Sequence, residues 1–138
     1  MSYIDANVFI FAACDSGKLG NASRALIKAI ECGQQTASTS ALTYDEVVWG
    51  VRKGLDKEKS FLVGELFLSL THLLIKDVNR NTISEAQHLM KLHNLKPRDA
   101  LHLATMRLEH ESEIISEDPD FDVVPWVTRV SLSKVKIL

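Results

Sequence analysis

Asp5 is the first residue of this chain whose type and place suit chemistry, because in Tyr3-Ile4-Asp5-Ala6-Asn7 a carboxylate stands where a short apolar strand gives way to a helical run. Ligands of an open α/β sheet collect outside the carboxyl ends of its strands. The structural alternative is that Asp5 caps the helix beginning near Val8, Asp being a preferred N-cap residue. Glu46 poses the same choice. Thr43-Tyr44-Asp45-Glu46, ahead of Val47, Val48, Trp49 and Val51, has the spacing of a capping box, and it equally puts Glu46 at the start of a helix that follows a strand. Asp99 lies in the first turn of a helix opened by Pro97, where an acid suits the helix dipole or is held rigidly for chemistry. Glu117-Asp118-Pro119-Asp120-Phe121-Asp122 is the densest acidic group, either a solvated loop or one more acid at the end of a strand.

If Asp5, Glu46, Asp99 and Asp118 converge at one sheet edge, their mutual repulsion raises their pKa values unless cations neutralise them. Oxygen-only donors suit Mg²⁺ or Mn²⁺ rather than zinc, and metal ions held by carboxylates suit phosphoryl chemistry, in which they activate water. Other catalytic plans find no support. The chain contains no Gly-x-Ser-x-Gly, no Gly-x-x-x-x-Gly-Lys and no Gly-x-Gly-x-x-Gly. His72, His88, His93, His102 and His110 lack metal-ligand spacing and read as surface or packing residues. Cys14 and Cys32 read as reduced core or near-core thiols without a redox role.

The elements that must position these acids alternate. Helices are expected from near Val8, at Asn21–Ile30 (closed by Gly33), in the run after Thr43, at Asp56–Leu70, in the run after Thr82 and in the run from Pro97. Strands are expected at Tyr3–Ile4, Thr36–Ser40, His72–Val78, Glu113–Ser116 and, at an edge, Val127–Leu132. Thr82-x-x-Glu85 is a second capping-box pattern, at a place with no expected chemistry. The fold class is therefore α/β, a three-layer α/β/α sandwich with a mostly parallel sheet of about five strands.

A chain of 138 residues, 46% hydrophobic and 25% charged, fits one domain over residues 1–138. Its longest apolar run is far shorter than the ~18 residues of a membrane span, so no membrane association and a cytoplasmic location are expected. A net charge of −2 argues against a broad basic surface for duplex nucleic acid, but not against a strand held locally beside bound cations. Apolar helix positions such as Phe61, Leu62, Leu66 and Phe67 serve equally a core or a partner.

Tyr-Ile-Asp-Ala-Asn at the start, Ser-Ala-Leu-Thr-Tyr-Asp-Glu-Val in the first half, Pro-Arg-Asp-Ala-Leu-His-Leu-Ala and Ile-Ile-Ser-Glu-Asp-Pro-Asp-Phe-Asp stand in that order. Together they resemble the PIN-domain nucleases, most closely the VapC-type toxins of VapBC toxin–antitoxin pairs, from Tyr3 to about Leu132. The resemblance implies that Asp5, Glu46, Asp99 and Asp118 are metal-binding acids, with Asp120 or Asp122 contributing from outside and Asp122 taken into the metal set. It further implies support by hydrogen bonding from Asn7 and Ser116. The implied activity is Mg²⁺- or Mn²⁺-dependent endonucleolytic cleavage of RNA by a homodimer restrained by an antitoxin. Arg98, Arg52 and Lys53 are the cations expected to hold the RNA backbone. Two rivals stand beside this reading, a haloacid-dehalogenase-type phosphatase and a non-catalytic binding module. The first normally needs a second Asp where this chain has Asn7.

Overall fold

A computed structural model describes residues 1–137, so the end of the expected 1–138 domain and of its C-terminal tail, residue 138, lies outside the described residues. Five strands, β1 (Ser2–Ile4), β2 (Ala37–Ser40), β3 (Leu73–Lys76), β4 (Glu113–Ile115) and β5 (Thr128–Val130), form one sheet in the order β3-β2-β1-β4-β5. Every neighbouring pair is parallel. The expected architecture is present, and the short last strand is indeed an edge.

Side-chain alternation along the strands separates two cores. Ile4 and Ile115 pack with the helices α1 (Ala6–Cys14), α2 (Lys18–Glu31), α3 (Ala41–Gly54) and α4 (Lys57–Ser69), contributing Val8, Leu26, Val47 and Phe67 among others. Tyr3 and Ile114 point the other way, into α5 (Arg80–Leu92) and α6 (Pro97–Leu108), against Leu89, Leu103 and Met106. These are the two outer layers of the sandwich.

The chain lays β2 and β3 on one side of β1, then returns to lay β4 and β5 on the other. The strand order therefore reverses between β1 and β4, and connections leaving these strands in opposite directions open a crevice at their carboxyl ends. Asp5 follows β1 directly, and Ser116 follows β4.

Helix starts differ from expectation in an informative way. The Thr43–Glu46 capping box does not form, because α3 begins at Ala41 with Ser40 in the cap position. Thr43 instead takes the Thr39 hydroxyl at 2.7 Å inside the helix, and Glu46 is left free to reach elsewhere. The Thr82–Glu85 box is likewise absent. Asn79 caps α5 in a reciprocal pair with Thr82, while Glu85 meets Arg107 at 3.4 Å. Gly33 closes α2 as expected, with φ +76°. Cys14 and Cys32 are free but exposed, correcting the expectation of a core or near-core place.

Candidate active site

Asp5 performs both of the tasks weighed for it. Its Oδ1 accepts from the Ala6 amide at 2.7 Å as the cap of α1, and its Oδ2 accepts from the Ser116 hydroxyl at 2.6 Å across the β1–β4 crevice. Ser116 Oγ in turn accepts from the Asn7 amide at 3.2 Å and from the Asp118 backbone amide at 3.0 Å. One buried hydroxyl thus ties the ends of two neighbouring strands together.

Asp118 caps a 3-10 turn, Pro119–Val123, accepting the Asp120 amide at 2.9 Å. Turn geometry brings Asp118 and Asp120 to Asp99, each offering a carboxylate oxygen within 4.8 Å of the others. Asp122 is turned away. Both of its oxygens are taken by Arg129 of β5, at 2.9 and 3.0 Å, and these bonds hold its carboxyl below the usual range. Of the two acids weighed beyond Asp118, the structure brings Asp120 to the cluster and not Asp122.

Glu46 enters from the opposite layer. Its Oε1 lies 2.5 Å from His102 Nε2, and the same nitrogen is 3.9 Å from Asp5 Oδ1. His102 is a residue that sequence reasoning missed, because a histidine among apolar helix positions reads as packing. It is fully buried, yet both of its ring nitrogens are engaged, Nδ1 with the Tyr3 hydroxyl at 2.6 Å. The available signal is its spacing from Asp99, three residues on and so on the same helix face.

The site is electrostatically strained. Burial pushes the Asp99 carboxyl up to about 6, assisted by Asp118 and Asp5. Burial also raises Asp5, opposed by His102 and by the Ser116 hydrogen bond. Burial disfavours charge on His102, but Tyr3, Glu46 and Asp5 outweigh it and hold the ring well above the ordinary histidine range. An acid group that repels itself, with oxygen donors only, fits a hard divalent cation. Beside it, Asn7 Oδ1 is buried with no hydrogen-bond partner among the described residues.

Residues 2–127 match the PIN domain family. The chain belongs to that family. No curated protein matches it in sequence. Among solved structures, this PIN domain is similar in fold to VapC20 of Mycobacterium tuberculosis, described as a sarcin–ricin-loop-cleaving toxin. That match has a TM-score of 0.76 at 14% identity, covering 92% of this chain and 97% of that one. The DNA-bound VapBC of Salmonella typhimurium gives a TM-score of 0.72 at 16% identity, over 96% and 98%. A toxin–antitoxin complex from Klebsiella pneumoniae gives 0.66 at 22% identity, over 93% and 96%.

The expected substrate cations fare unequally in this PIN domain. Arg98 adjoins Asp99 at the mouth of the site, exposed and 4.0 Å from Asp45. Arg52 and Lys53 are exposed in the last turn of α3, about 9 Å or more along the axis from Glu46, and Lys53 lies over the Trp49 ring. The structure does not bring these two to the acids. It does bring Lys96, unremarked in the sequence, 3.6 Å from Asp120.

Proposed function

We propose that this PIN domain is a metal-dependent endoribonuclease, the toxin of a toxin–antitoxin pair, acting in the cytoplasm. The observation that carries the reading is the convergence of Asp99, Asp118 and Asp120 within 4.8 Å beside Asp5 at the β1–β4 crevice, in a domain of this family. The likeness in fold to a toxin described as cleaving the sarcin–ricin loop supports RNA as the substrate.

In this reading Asp5, Glu46, Asp99, Asp118 and Asp120 hold Mg²⁺ or Mn²⁺. When bound, such an ion supplies Lewis-acid polarisation of a phosphodiester and a water of lowered pKa. The chain's own residues do the rest. Ser116 and Asn7 fix the rotamer of Asp5, the 3-10 turn sets Asp118 and Asp120 side by side, and Arg98 and Lys96 meet the phosphates flanking the scissile bond. Only a local cationic rim is needed, which suits a chain of net charge −2.

An antitoxin partner is supported by the complexes in which the fold neighbours are found and by an apolar cavity of about 470 Å³ between α1, α2 and α4, lined by Phe9, Ile27, Val63, Leu66 and Phe67. A homodimer would cover the exposed Phe61 and Leu62 on α4.

The test is purified protein with structured RNA and Mn²⁺, beside Asp5→Asn and Asp99→Asn. Cleavage by the wild type and a loss of about 10²-fold or more in each variant are expected, the scale met when one charge-stabilising group is removed. Equal cleavage by all three proteins would assign the activity to a contaminant and end the reading.

A further inference from the structure

His102 stands where three layers meet. It belongs to α6, its Nδ1 meets the Tyr3 hydroxyl of β1 at 2.6 Å, and its Nε2 meets Glu46 of α3 at 2.5 Å. Glu46 and α6 lie on opposite faces of the sheet, so the contact passes over its carboxyl edge. Tyr3 and His102 are both fully buried, with rings packed edge to face at a centroid separation of 5.6 Å. Nε2 lies 2.5 Å from a carboxylate oxygen, so it carries a proton and donates it there, while Nδ1 is engaged by the Tyr3 oxygen whether the ring is neutral or cationic. The imidazole is then fixed in place from behind.

We propose that His102 is a positioning residue that aims Glu46 into the acidic site, through a buried chain of hydrogen bonds running from the Tyr3 hydroxyl to Nδ1 and from Nε2 to the Glu46 carboxylate. The inference deepens the metal-dependent reading and rests on it. A glutamate side chain has three rotatable bonds, and the capping role that would otherwise restrain Glu46 is absent, since α3 begins five residues earlier at Ala41. The lost restraint is replaced by His102. Of the two Glu46 oxygens, Oε1 is held by His102, and Oε2 accepts no hydrogen bond from it. Partners that orient a ligating side chain in this way contribute about 10- to 100-fold to metal affinity.

Two amides separate this role from mere filling of space. In His102→Gln the side-chain amide stands near the place of Nε2 and still donates to Glu46, whereas in His102→Asn it stands near Nδ1 and faces Tyr3 alone. Titration calorimetry with Mn²⁺ is expected to give His102→Gln an affinity close to wild type and His102→Asn a loss of about 10- to 100-fold. In a Glu46→Gln background the further loss on His102→Asn should vanish, because the histidine acts through that carboxylate. Long-range ¹⁵N–¹H spectra of the wild type, which need no variant to fold, should find a proton on Nε2 of the buried histidine. Wild-type affinity in His102→Asn, equal losses in the two amide variants, an undiminished loss in the Glu46→Gln background, or a bare Nε2 would each overturn the inference while leaving the metal reading intact. Absence of Mn²⁺ binding by the wild type would overturn both.

Discussion

Asp99 illustrates how an acid can serve a site and weaken the fold that holds it. Its carboxyl is raised from 3.8 to about 6, so between these values the folded chain retains a proton that the unfolded chain has released. Stability therefore falls as pH rises through that window. Metal-free Asp99→Asn, which carries no charge there, should melt above the wild type by a margin that widens from about pH 4 to pH 6 and then levels off. Thermal denaturation of both proteins across that range checks the sign, and a margin that shrinks with rising pH would contradict it. Protons compete with a cation for the same oxygens, so Mn²⁺ affinity of the wild type should rise over the same window. Asp5, Asp99 and Asp118 are legible in the sequence because strand ends and first helical turns can be read locally. His102 is not, since its partners Tyr3 and Glu46 stand 99 and 56 residues away.

At the scale of elements, the 3-10 turn after β4 decides which acids meet. Its tight winding turns Asp120 towards Asp118 and sends Asp122 to Arg129, a distinction no local pattern reveals when every second residue is acidic. Arg129 is partly buried, and its guanidinium also donates to the Ser116 carbonyl at 3.1 Å, so it clips β5 to the turn. Arg129→Met should leave the fold cooperative while weakening Mn²⁺ binding several-fold through a loosened turn, measurable by calorimetry. Gly20 governs the packing of α2 on the end of α1. A Cβ there would lie 1.8 Å from the Asp15 carbonyl oxygen, a backbone atom that cannot swing aside. Gly20→Ala should cost about 1–3 kcal/mol in urea denaturation, an overpacking penalty rather than a helix-propensity gain. Helix starts were the least legible feature. Serine and threonine recur from Thr36 to Thr43, and the true start of α3 was chosen by β2 pairing with β1 and β3, which the linear pattern does not contain.

For the molecule as a whole, the order of strands and helices was legible because hydrophobic periods of two and of 3.6 alternate along the chain. Which apolar faces remain open was not, since a stripe that is buried and one that is exposed look alike in sequence. Phe67 is buried in the core, whereas Phe61, Leu62 and Leu66 on the same helix are about half exposed or more. Phe61→Glu with Leu62→Glu should convert the proposed dimer to a monomer in light scattering while the far-ultraviolet circular dichroism of the fold is retained. A wild type that is monomeric at micromolar concentration would dispose of the dimer. The strand order β3-β2-β1-β4-β5 has one more consequence. The proposed site draws on Asp5, Asp99 and Asp118, acids from the beginning and from the late part of the chain, and the crevice that gathers them does not exist until β4 slots in beside β1. A ribosome making this protein thus carries a growing chain with no assembled acidic centre for most of its length, and the nascent chain gains that centre only once β4 has been made.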